Sequence, residues 1–484
     1  MARPLIRAIF VCLLAVLLAS PALAVDRRHH PEVSGGAEPG FRFERGGWTY
    51  VHLEGTPQEI GYQHGRLLAA EIVDLIRVNQ VELSHSTHRK WEFYRDAGRT
   101  ILWPHIEPQY QQELEGIAKG ARSKGAKIDV WDVLALNSSI ELSEYYVPWL
   151  DKQQHGSATA KLDYPVIRPQ GRCSAFIATG SYTKDAKIVV GHNNWTGYAD
   201  GERWTIIYDI QPDHGHHIVM EGEPGVITSE DDFGLNDAGL MITETTITQF
   251  AGWNSDGIPE FVRSRKAMQY AGSIDEYASI MREGNNGGYA NDWLIGDRKT
   301  GEIAYLELGL KNSPLLRTKD GYFISSNFPR DAALIQQETD GFDPTNLGSS
   351  PNARRVTWED RMASSKGRID VAMAEQFLSD HADSYTGKRG PNERSLCGHV
   401  DVSSRGVPEW DWEPYYPGGA VTGKVTDSEM AAHLSLIARA GHPCGEDFLA
   451  APFLKAHPEF GYLKPVLKDM KAGPWTAFAA GEKQ

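Results

Sequence analysis

The amino-acid sequence predicts an α+β fold in which β-sheets carry helices on their outer faces. Apolar residues recur at helical spacing as far as about residue 143, and short β-rich runs take over after Cys173. Two predicted helices, over 259–271 and 273–283, separate two blocks of these strands. Blocks of strands with helices between them favour sheets that are covered by helices.

The N-terminus has the pattern of a secretory signal peptide over residues 1–24. Arg3 and Arg7 precede an apolar run from Ala8 to Leu18, and the segment ends in Ala22-Leu23-Ala24. The run is shorter than the roughly 20 residues that span a bilayer. We therefore expect a soluble, exported protein without integral membrane contact, either secreted or periplasmic, or lysosomal in a eukaryote.

The segment from 25 to 172 is predicted to be an N-terminal fragment that is mainly helical. A strand at Tyr50–Leu53 leads to Thr56, which with Glu59 forms a capping box for a helix. Further helices are expected over 106–123 and 128–143. Residues 151–170 lose the periodicity and contain Pro and Gly, so a surface loop is expected there.

After Cys173 the pattern alternates between strands and helices. The tail from 351 is predicted to be mostly helical, with a loop near 405–423. The predicted strands are Ala175–Ala178, Lys187–Val190, Thr205–Ile210, His217–Met220, Leu240–Thr245, Trp293–Gly296, Ile303–Glu307 and Tyr322–Ser325.

Charge and cysteine content restrict the partners and the chemistry. The net charge of −15 argues against binding to a nucleic-acid backbone. Cys12 leaves with the signal peptide, so an odd number of cysteines remains. Export permits a Cys397–Cys444 disulfide, which we predict, and this pairing leaves Cys173 as the free thiol.

Cys173 is the strongest candidate for a catalytic residue. It follows the irregular loop and immediately opens a predicted strand, and His192 and Asn193 come at the end of the next strand. A β-hairpin of this size can bring these polar groups beside the thiol, as nucleophilic catalysis requires.

Other chemistries lack a signature in the chain. There is no G-x-S-x-G or H-E-x-x-H motif. The cluster His214, His216 and His217 is interpreted as a polar turn, because no acidic or Cys ligand accompanies it at standard spacing. No metal and no cofactor are predicted.

Motifs in order along residues 50–440 resemble the phospholipase B-like family and, more distantly, autoproteolytic acyltransferases and bile-salt or penicillin amidases. His192 and Trp195 stand where the acyltransferase and bile-salt branch has an Asp, which favours the phospholipase B-like branch. The motifs are Gly61-Tyr62-Gln63-His64-Gly65, Cys173-Ser174-Ala175, Gly191-His192-Asn193-x-Trp195, Thr243-Glu244-Thr245-Thr246-Ile247, Gly288-Tyr289-x-Asn291-x-Trp293, Ser326-Asn327-Phe328-Pro329 and Ser350-Pro351-Asn352-Ala353-Arg354.

This resemblance implies a four-layer αββα sandwich of the N-terminal-nucleophile (Ntn) hydrolase type. It also implies that the chain cuts itself between Arg172 and Cys173. The catalytic fragment 173–484 would then pack with residues 47–150 as one domain. The new α-amino group of Cys173 would act as the base, since such groups have a pKa of about 7.7–8.0.

The resemblance also assigns roles to individual side chains. Asn327 and a backbone donor near Thr245 would stabilise the oxyanion, and His192, Asn193 and Trp195 would shape the site beside the thiol. The active-site arginine would be Arg354 or Arg355.

The implied activity is deacylation of lipids or lipid-like amides through Cys173. The alternatives are an N-acyl amidase or acyltransferase that acts on small amides, and a secreted binding protein without catalysis. The expected partners are therefore a small lipid or amide substrate and the protein's own N-terminal fragment.

Overall fold

The structure, a computed structural model, describes residues 40–156, 173–230 and 233–483. Within these ranges the chain forms two large β-sheets with helices against both, so the predicted α+β fold is confirmed. The predicted signal peptide over 1–24 and Arg172 of the predicted cleavage site lie outside the described residues. No helix in the described ranges is long and apolar enough to cross a membrane.

The strands are numbered in chain order. They are β1 Phe41–Arg45, β2 Trp48–Gly55, β3 Ser174–Gly180, β4 Ala186–Gly197, β5 Ile206–Pro212, β6 Ile218–Gly222, β7 Gly234–Asn236, β8 Leu240–Thr246, β9 Asn291–Asp297, β10 Glu302–Leu308, β11 Leu315–Thr318, β12 Gly321–Ser325, β13 Ala382–Asp383, β14 Lys388–Arg389, β15 Gly418–Asp427, β16 Ser435–Ala440 and β17 Thr476–Ala479.

The α-helices are numbered in the same way. They are α1 Pro57–Leu67, α2 Ala69–Thr87, α3 Trp91–Ala97, α4 Pro108–Ser123, α5 Val130–Asn137, α6 Val147–His155, α7 Tyr198–Gly201, α8 Glu260–Tyr270, α9 Ile274–Arg282, α10 Ala332–Glu338, α11 Ser350–Ser364, α12 Val371–Leu378 and α13 Ala450–Ala456.

The two large sheets have nine and six strands. The nine-stranded sheet has the order β1-β2-β5-β6-β7-β8-β9-β10-β11, and the six-stranded sheet has the order β12-β3-β4-β15-β16-β17. Strands β2 and β5 run parallel, with Thr49 opposite Ile206, whereas the other neighbours are antiparallel. The N-terminal segment therefore supplies two strands of the larger sheet.

Three apolar clusters show how the layers stack. The first lies between the two sheets and contains Ile177 of β3 and Ile207 of β5. The second joins the outer face of the nine-stranded sheet to α2, α4 and α8. The third packs α11 and α12, through Trp358 and Phe377, on the outer face of the six-stranded sheet. The order is helices, sheet, sheet, helices, as the resemblance implies.

The start of α1 follows its sequence closely. Thr56 caps the helix, its hydroxyl accepts from Glu59 N, and the Glu59 carboxylate accepts from Thr56 N at 2.9 Å. These reciprocal bonds are the predicted capping box, and each satisfies a backbone N–H that the helix itself leaves without a partner.

The C-terminal prediction is wrong in part. Residues after 351 were expected to be mostly helical, but β15, β16 and β17 form half of the six-stranded sheet, and the predicted loop 405–423 ends inside β15. Strand β15 contains Gly418, Gly419 and Gly423, which weaken strand propensity. It is held instead by hydrogen bonds to β4 on one side and to β16 on the other.

Candidate active site

Cys173 lies immediately before the first residue of β3, the strand that pairs with β4 and β12. Its side chain is 0% exposed, and its backbone has a φ of 89°. A positive φ is uncommon for a residue other than Gly, and such strain concentrates at functional sites. The conformation at Cys173 therefore marks this position as a candidate site.

Polar side chains from both sheets converge on the thiol. The Cys173 Sγ lies 3.9 Å from Oδ1 of Asn194 on β4 and 3.8 Å from Oε1 of Glu244 on β8. His192 of β4 belongs to the same cluster, with its ring nitrogen, the Cys173 sulfur and a Glu244 oxygen all within 4.8 Å of one another. The predicted hairpin does bring His192 beside Cys173, although His192 lies within β4, opposite Ala175, and not at a turn.

Arg354 anchors the backbone of Cys173. Its Nη1 donates to the carbonyl oxygen of Cys173 at 2.6 Å, and its Nη2 donates to Oδ1 of Asn327 at 2.9 Å. The guanidinium stacks 4.3 Å above the ring centre of Trp195, and its burial lowers the pKa of Arg354. Arg355 instead pairs with Glu359 near the surface, so the structure places Arg354 in the cluster.

Asn327 connects this arginine to the larger sheet. Its backbone also has a positive φ, 72°, its Nδ2 donates to the carbonyl of Thr246 at 2.9 Å, and its backbone N–H donates to Oγ1 of Thr245 at 3.3 Å. Asn327 and Thr245, both predicted to surround the oxyanion, thus lie in the cluster. The side-chain amide of Asn327 donates to Thr246 and accepts from Arg354, so it links the end of β8 to this arginine.

Behind Thr245 the polar chain continues between the sheets. Thr245 and Ser325 share a hydrogen bond between their hydroxyls, and Ser325 donates to Asp292 at 2.8 Å. Burial, together with the nearby carboxylate of Glu307, raises the pKa of Asp292 well above its usual range.

Neighbouring residues of β4 have separate tasks. Asn193 Nδ2 donates to the carbonyls of Leu378 and Leu396 at 2.8 and 2.9 Å, and Trp195 Nε1 donates to Leu396 at 3.3 Å. Successive side chains of a strand point to opposite faces, so Asn193 and Trp195 face away from Asn194. The structure does not bring Asn193 to the thiol: its amide holds the segment around Leu396, and Asn194 is the asparagine beside the thiol.

Two further residues of the site were missed, Asn194 and Glu244. Glu244 accepts from the Tyr289 hydroxyl at 3.3 Å, and Asn291, with its amide nitrogen turned toward Glu244, donates to Oε2 at 3.0 Å. Both had a signal in the sequence. Asn194 lies two residues after His192, and therefore on the same face of a strand, and Glu244 directly precedes Thr245.

A cavity of about 540 Å³ has wall residues that contact the residues of this cluster. Its wall includes Thr196, which continues β4 beyond Asn194, and Trp410, whose ring also lies against Arg354. Glu230 connects the cavity to Glu244, because Tyr289 donates to the Glu230 carbonyl and to the Glu244 carboxylate. The acidic residues of the wall are Glu82, Glu144, Asp200, Glu223, Glu230, Asp411, Glu413 and Glu459.

In the described ranges, two groups of side chains could hold a metal ion. One is the trio of Cys173, His192 and Glu244. The other lies apart from the thiol and consists of His381, Cys397, His399 and Cys444. The predicted Cys397–Cys444 disulfide is absent from the structure, in which both cysteines are free and each contacts His399.

Comparisons with known proteins cover the region around Cys173. A family model described as Phospholipase B matches residues 70–305, which include Cys173, His192 and Glu244 but not Asn327 or Arg354. An uncharacterized protein from Archaeoglobus fulgidus is 25% identical over 284 residues, 54% of this chain and 43% of its own length. The phospholipase B-like 2 protein of Rattus norvegicus is 31% identical over 145 residues, 27% of this chain and 24% of its own length.

A third relative shows the same pattern. Phospholipase B-like protein A of Dictyostelium discoideum is 27% identical over 142 residues, 27% of this chain and 24% of that protein. The matches thus span between about a quarter and a half of these relatives. By these matches the chain is similar to the phospholipase B-like proteins in the region around Cys173, and the resemblance predicted from its motifs is confirmed.

Proposed function

We propose that this protein is an autoproteolytic Ntn hydrolase that transfers acyl groups to water through the thiol of Cys173. One observation carries the proposal: a buried, backbone-strained cysteine at the start of a strand has polar groups from two sheets around its sulfur. Burial of this kind suits a precursor, because a thiol that is 0% exposed cannot meet a substrate before the chain is cut.

The first step of the proposal is self-cleavage. The Cys173 sulfur attacks the carbonyl carbon that precedes it, the C–N bond breaks, and the acyl group moves to sulfur as a thioester. In this acyl shift the thiol proton passes to the nitrogen, which becomes the free α-amino group of Cys173. Water then hydrolyses the thioester, which releases a carboxylate at residue 172 and restores the thiol. Arg354 supports this step, because its 2.6 Å bond to the Cys173 carbonyl fixes the backbone on the other side of the reacting bond.

In turnover the new α-amino group takes the proton of the thiol. Its ordinary pKa of about 7.7–8.0 lets it act as a base near neutral pH. The sulfur attacks the acyl carbon of the substrate, the amine returns the proton to the leaving group, and water hydrolyses the thioester. Among the described residues Asn194 Nδ2 has no hydrogen-bond partner, so it is available to donate to the oxyanion.

The substrate is proposed to be an acyl ester or amide of a lipid, as the relatives suggest. The acidic cavity restricts the headgroup that the substrate can carry. The cavity wall has eight carboxylate residues together with the rings of Trp410, Trp412, Tyr416 and Tyr462. Carboxylates and aromatic faces attract an ammonium group, including a quaternary one. A choline-type headgroup therefore fits this wall better than an anionic one.

The same cavity supports small N-acyl amides as a second candidate class. A volume of about 540 Å³ accommodates a compact ligand, and a protonated amine on that ligand would meet the same carboxylates. Lipid and small amide would then share the cationic group and differ in the length of the acyl chain. An acyl-chain series on one cationic headgroup separates the two candidates.

The test begins with the protein purified from the secreted or periplasmic fraction. Denaturing electrophoresis and N-terminal sequencing are expected to give a fragment that starts at Cys173, and Cys173→Ala is expected to remain one chain. Cleaved enzyme is then incubated with phosphatidylcholine, phosphatidylglycerol, an N-acyl ethanolamine and a penicillin-type amide, and acid release is followed by mass spectrometry. Hydrolysis of phosphatidylcholine in preference to phosphatidylglycerol supports the proposal.

Other outcomes separate the alternatives. Full activity of an uncut wild-type chain contradicts the Ntn mechanism. Activity confined to the penicillin-type amide moves the assignment to a small-amide amidase. Cleaved protein that binds but hydrolyses none of these compounds points to a secreted binding protein.

A further inference from the structure

A cluster of two histidines and two cysteines lies outside the proposed active site. His381 follows α12, Cys397 and His399 lie in the loop between β14 and β15, and Cys444 lies in the turn after β16. Cys397 and His399 are buried, and His381 and Cys444 are partly exposed. Three separate parts of the chain thus bring four side chains together, and their nitrogen and sulfur atoms are of the kind that bind transition metals.

The distances between these donors are those of a tetrahedral zinc site. His399 Nε2 lies 3.2 Å from His381 Nε2, 3.6 Å from Cys397 Sγ and 3.5 Å from Cys444 Sγ. Zinc bonds are about 2.3 Å to sulfur and about 2.0–2.1 Å to nitrogen. A tetrahedron with these bonds separates two nitrogens by about 3.3 Å and a nitrogen from a sulfur by about 3.6 Å. All four donor atoms lie within 4.8 Å of one another.

Hydrogen bonds alone do not account for this packing. The Nε2 atom of His399 can make one hydrogen bond, either as donor or as acceptor. Three atoms nevertheless surround it at 3.2–3.6 Å: one imidazole nitrogen and two sulfurs. A disulfide would bind Cys397 to Cys444 but would leave the two facing imidazole nitrogens without a function. One cation at the centre satisfies all four groups.

We propose that His381, Cys397, His399 and Cys444 bind one Zn²⁺ as a structural site. Two thiolates and two imidazoles are a typical zinc donor set, whereas Mg²⁺ and Ca²⁺ prefer oxygen. All four positions of the tetrahedron are filled by side chains, so no position is open for water or substrate. This closed coordination distinguishes a structural zinc from a catalytic one.

The site would stabilise the wall behind the proposed nucleophile. The backbone carbonyl of Leu396, next to the ligand Cys397, accepts hydrogen bonds from Asn193 and Trp195 of β4. On the other side Pro443, next to the ligand Cys444, accepts from Ser379 at 2.8 Å and so ties the turn to the end of α12. Zinc would therefore join α12, β4 and the turn after β16.

The experiment measures metal in the full-length protein, purified without chelator from cells grown with zinc. Elemental analysis is expected to give about one zinc per chain, as for a site that four protein ligands close. Replacement by Co²⁺ is expected to give the visible bands of tetrahedral cobalt and a sulfur-to-cobalt charge-transfer band. Cys397→Ser and His381→Ala are expected to lower the zinc content and the melting temperature.

Cys173→Ala is the matched control, because it removes a cysteine of the other possible metal group and is expected to keep the zinc. Loss of zinc in Cys173→Ala but not in His381→Ala would move the metal to the nucleophile and overturn the proposal. Wild-type protein without zinc and without a cobalt spectrum would also overturn it, as would an unreduced peptide map that joins Cys397 to Cys444. The zinc content, the cobalt spectrum and the peptide map are measured on the wild type, so they decide the question even if a variant does not fold.

Discussion

At the scale of single residues, the two adjacent asparagines of β4 are expected to serve different purposes. Asn194 touches the thiol and has a free amide donor among the described residues, whereas Asn193 donates to two backbone carbonyls. Loss of one oxyanion donor costs roughly 10²–10³ in kcat in a well-studied hydrolase. We expect Asn194→Ala to lower kcat by about this factor with little change in melting temperature.

Asn193→Ala provides the contrast. It removes the side-chain donor of the Leu378 carbonyl and leaves Trp195 as the remaining side-chain donor to the Leu396 carbonyl. A buried group that is left unsatisfied costs about 1–3 kcal/mol of stability. The melting temperature of this variant is expected to fall, and the folded fraction is expected to keep much of its kcat. The measurement is turnover of an activated p-nitrophenyl ester by cleaved enzyme, beside a thermal melt of each variant. An unchanged kcat in Asn194→Ala would remove Asn194 from the proposed oxyanion site.

The sequence predicts the pairing of Cys173 with His192 better than the rest of the candidate site. Cys173 and His192 follow from a hairpin pattern, because pairing between neighbouring strands is local. The choice between Asn193 and Asn194 depends on which face of β4 meets the other sheet, and a shift of one residue reverses that choice. Glu244 comes from the other sheet, and no local pattern indicates that β8 ends against β3.

At the scale of elements, α1 and α4 pack unusually closely. Gly61 and Gly65 of α1 face Gly116 and Gly120 of α4, and each helix therefore carries two glycines four residues apart. A Cβ on Gly65 would lie 1.9 Å from the carbonyl oxygen of Ile117. That neighbour is backbone and cannot move aside without separation of the helices.

We therefore expect Gly65→Ala to destabilise the protein despite the better helix propensity of Ala. Overpacking typically costs about 1–3 kcal/mol, and a clash with backbone belongs at the upper end or above it. Gly461→Ala is the control, because a Cβ there has no atom within 4 Å. Denaturant unfolding of both variants compares the two. Equal stability of Gly65→Ala and wild type would show that the helices can separate at low cost.

The local sequence explains why β8 and α1 were predicted and β15 was not. Strand β8, Leu240–Thr246, is rich in β-branched residues and was found, and α1 was found through its capping box. Strand β15 has the composition of a loop, and its conformation comes from β4 and β16 on either side. The support from β4 comes from residues more than 200 positions away, as for Lys424 opposite His192, and leaves no local pattern.

At the scale of the whole molecule, the segments before and after the proposed cut share their core. Strand β2 pairs with β5 over seven residues, from Thr49 opposite Ile206 to Gly55 opposite Pro212. Ile72 and Leu114 of the N-terminal segment lie in one apolar cluster with Ile242 and Trp293 of the other. Separation of the two would expose the face of the nine-stranded sheet.

This arrangement predicts that the cleaved fragments stay together. Each large apolar side chain returned to water costs about 1.5–3 kcal/mol, and the N-terminal segment contributes well over ten of them to the shared cluster. Size-exclusion chromatography of cleaved protein is therefore expected to give one peak that holds both fragments at the mass of the uncut chain. Denaturant should release both together, in a single transition.

A variant with a protease site introduced between residues 157 and 172 allows the same test without self-cleavage. In a Cys173→Ala background this variant is cut by the added protease only, so the stability of the nicked form is measured apart from the chemistry. Co-elution of its two fragments is expected here as well. If the 173–484 fragment eluted alone and kept its fold, the shared sheet would contribute less to stability than its pairing indicates. The N-terminal fragment would then act as a removable propeptide instead of a permanent layer of the enzyme.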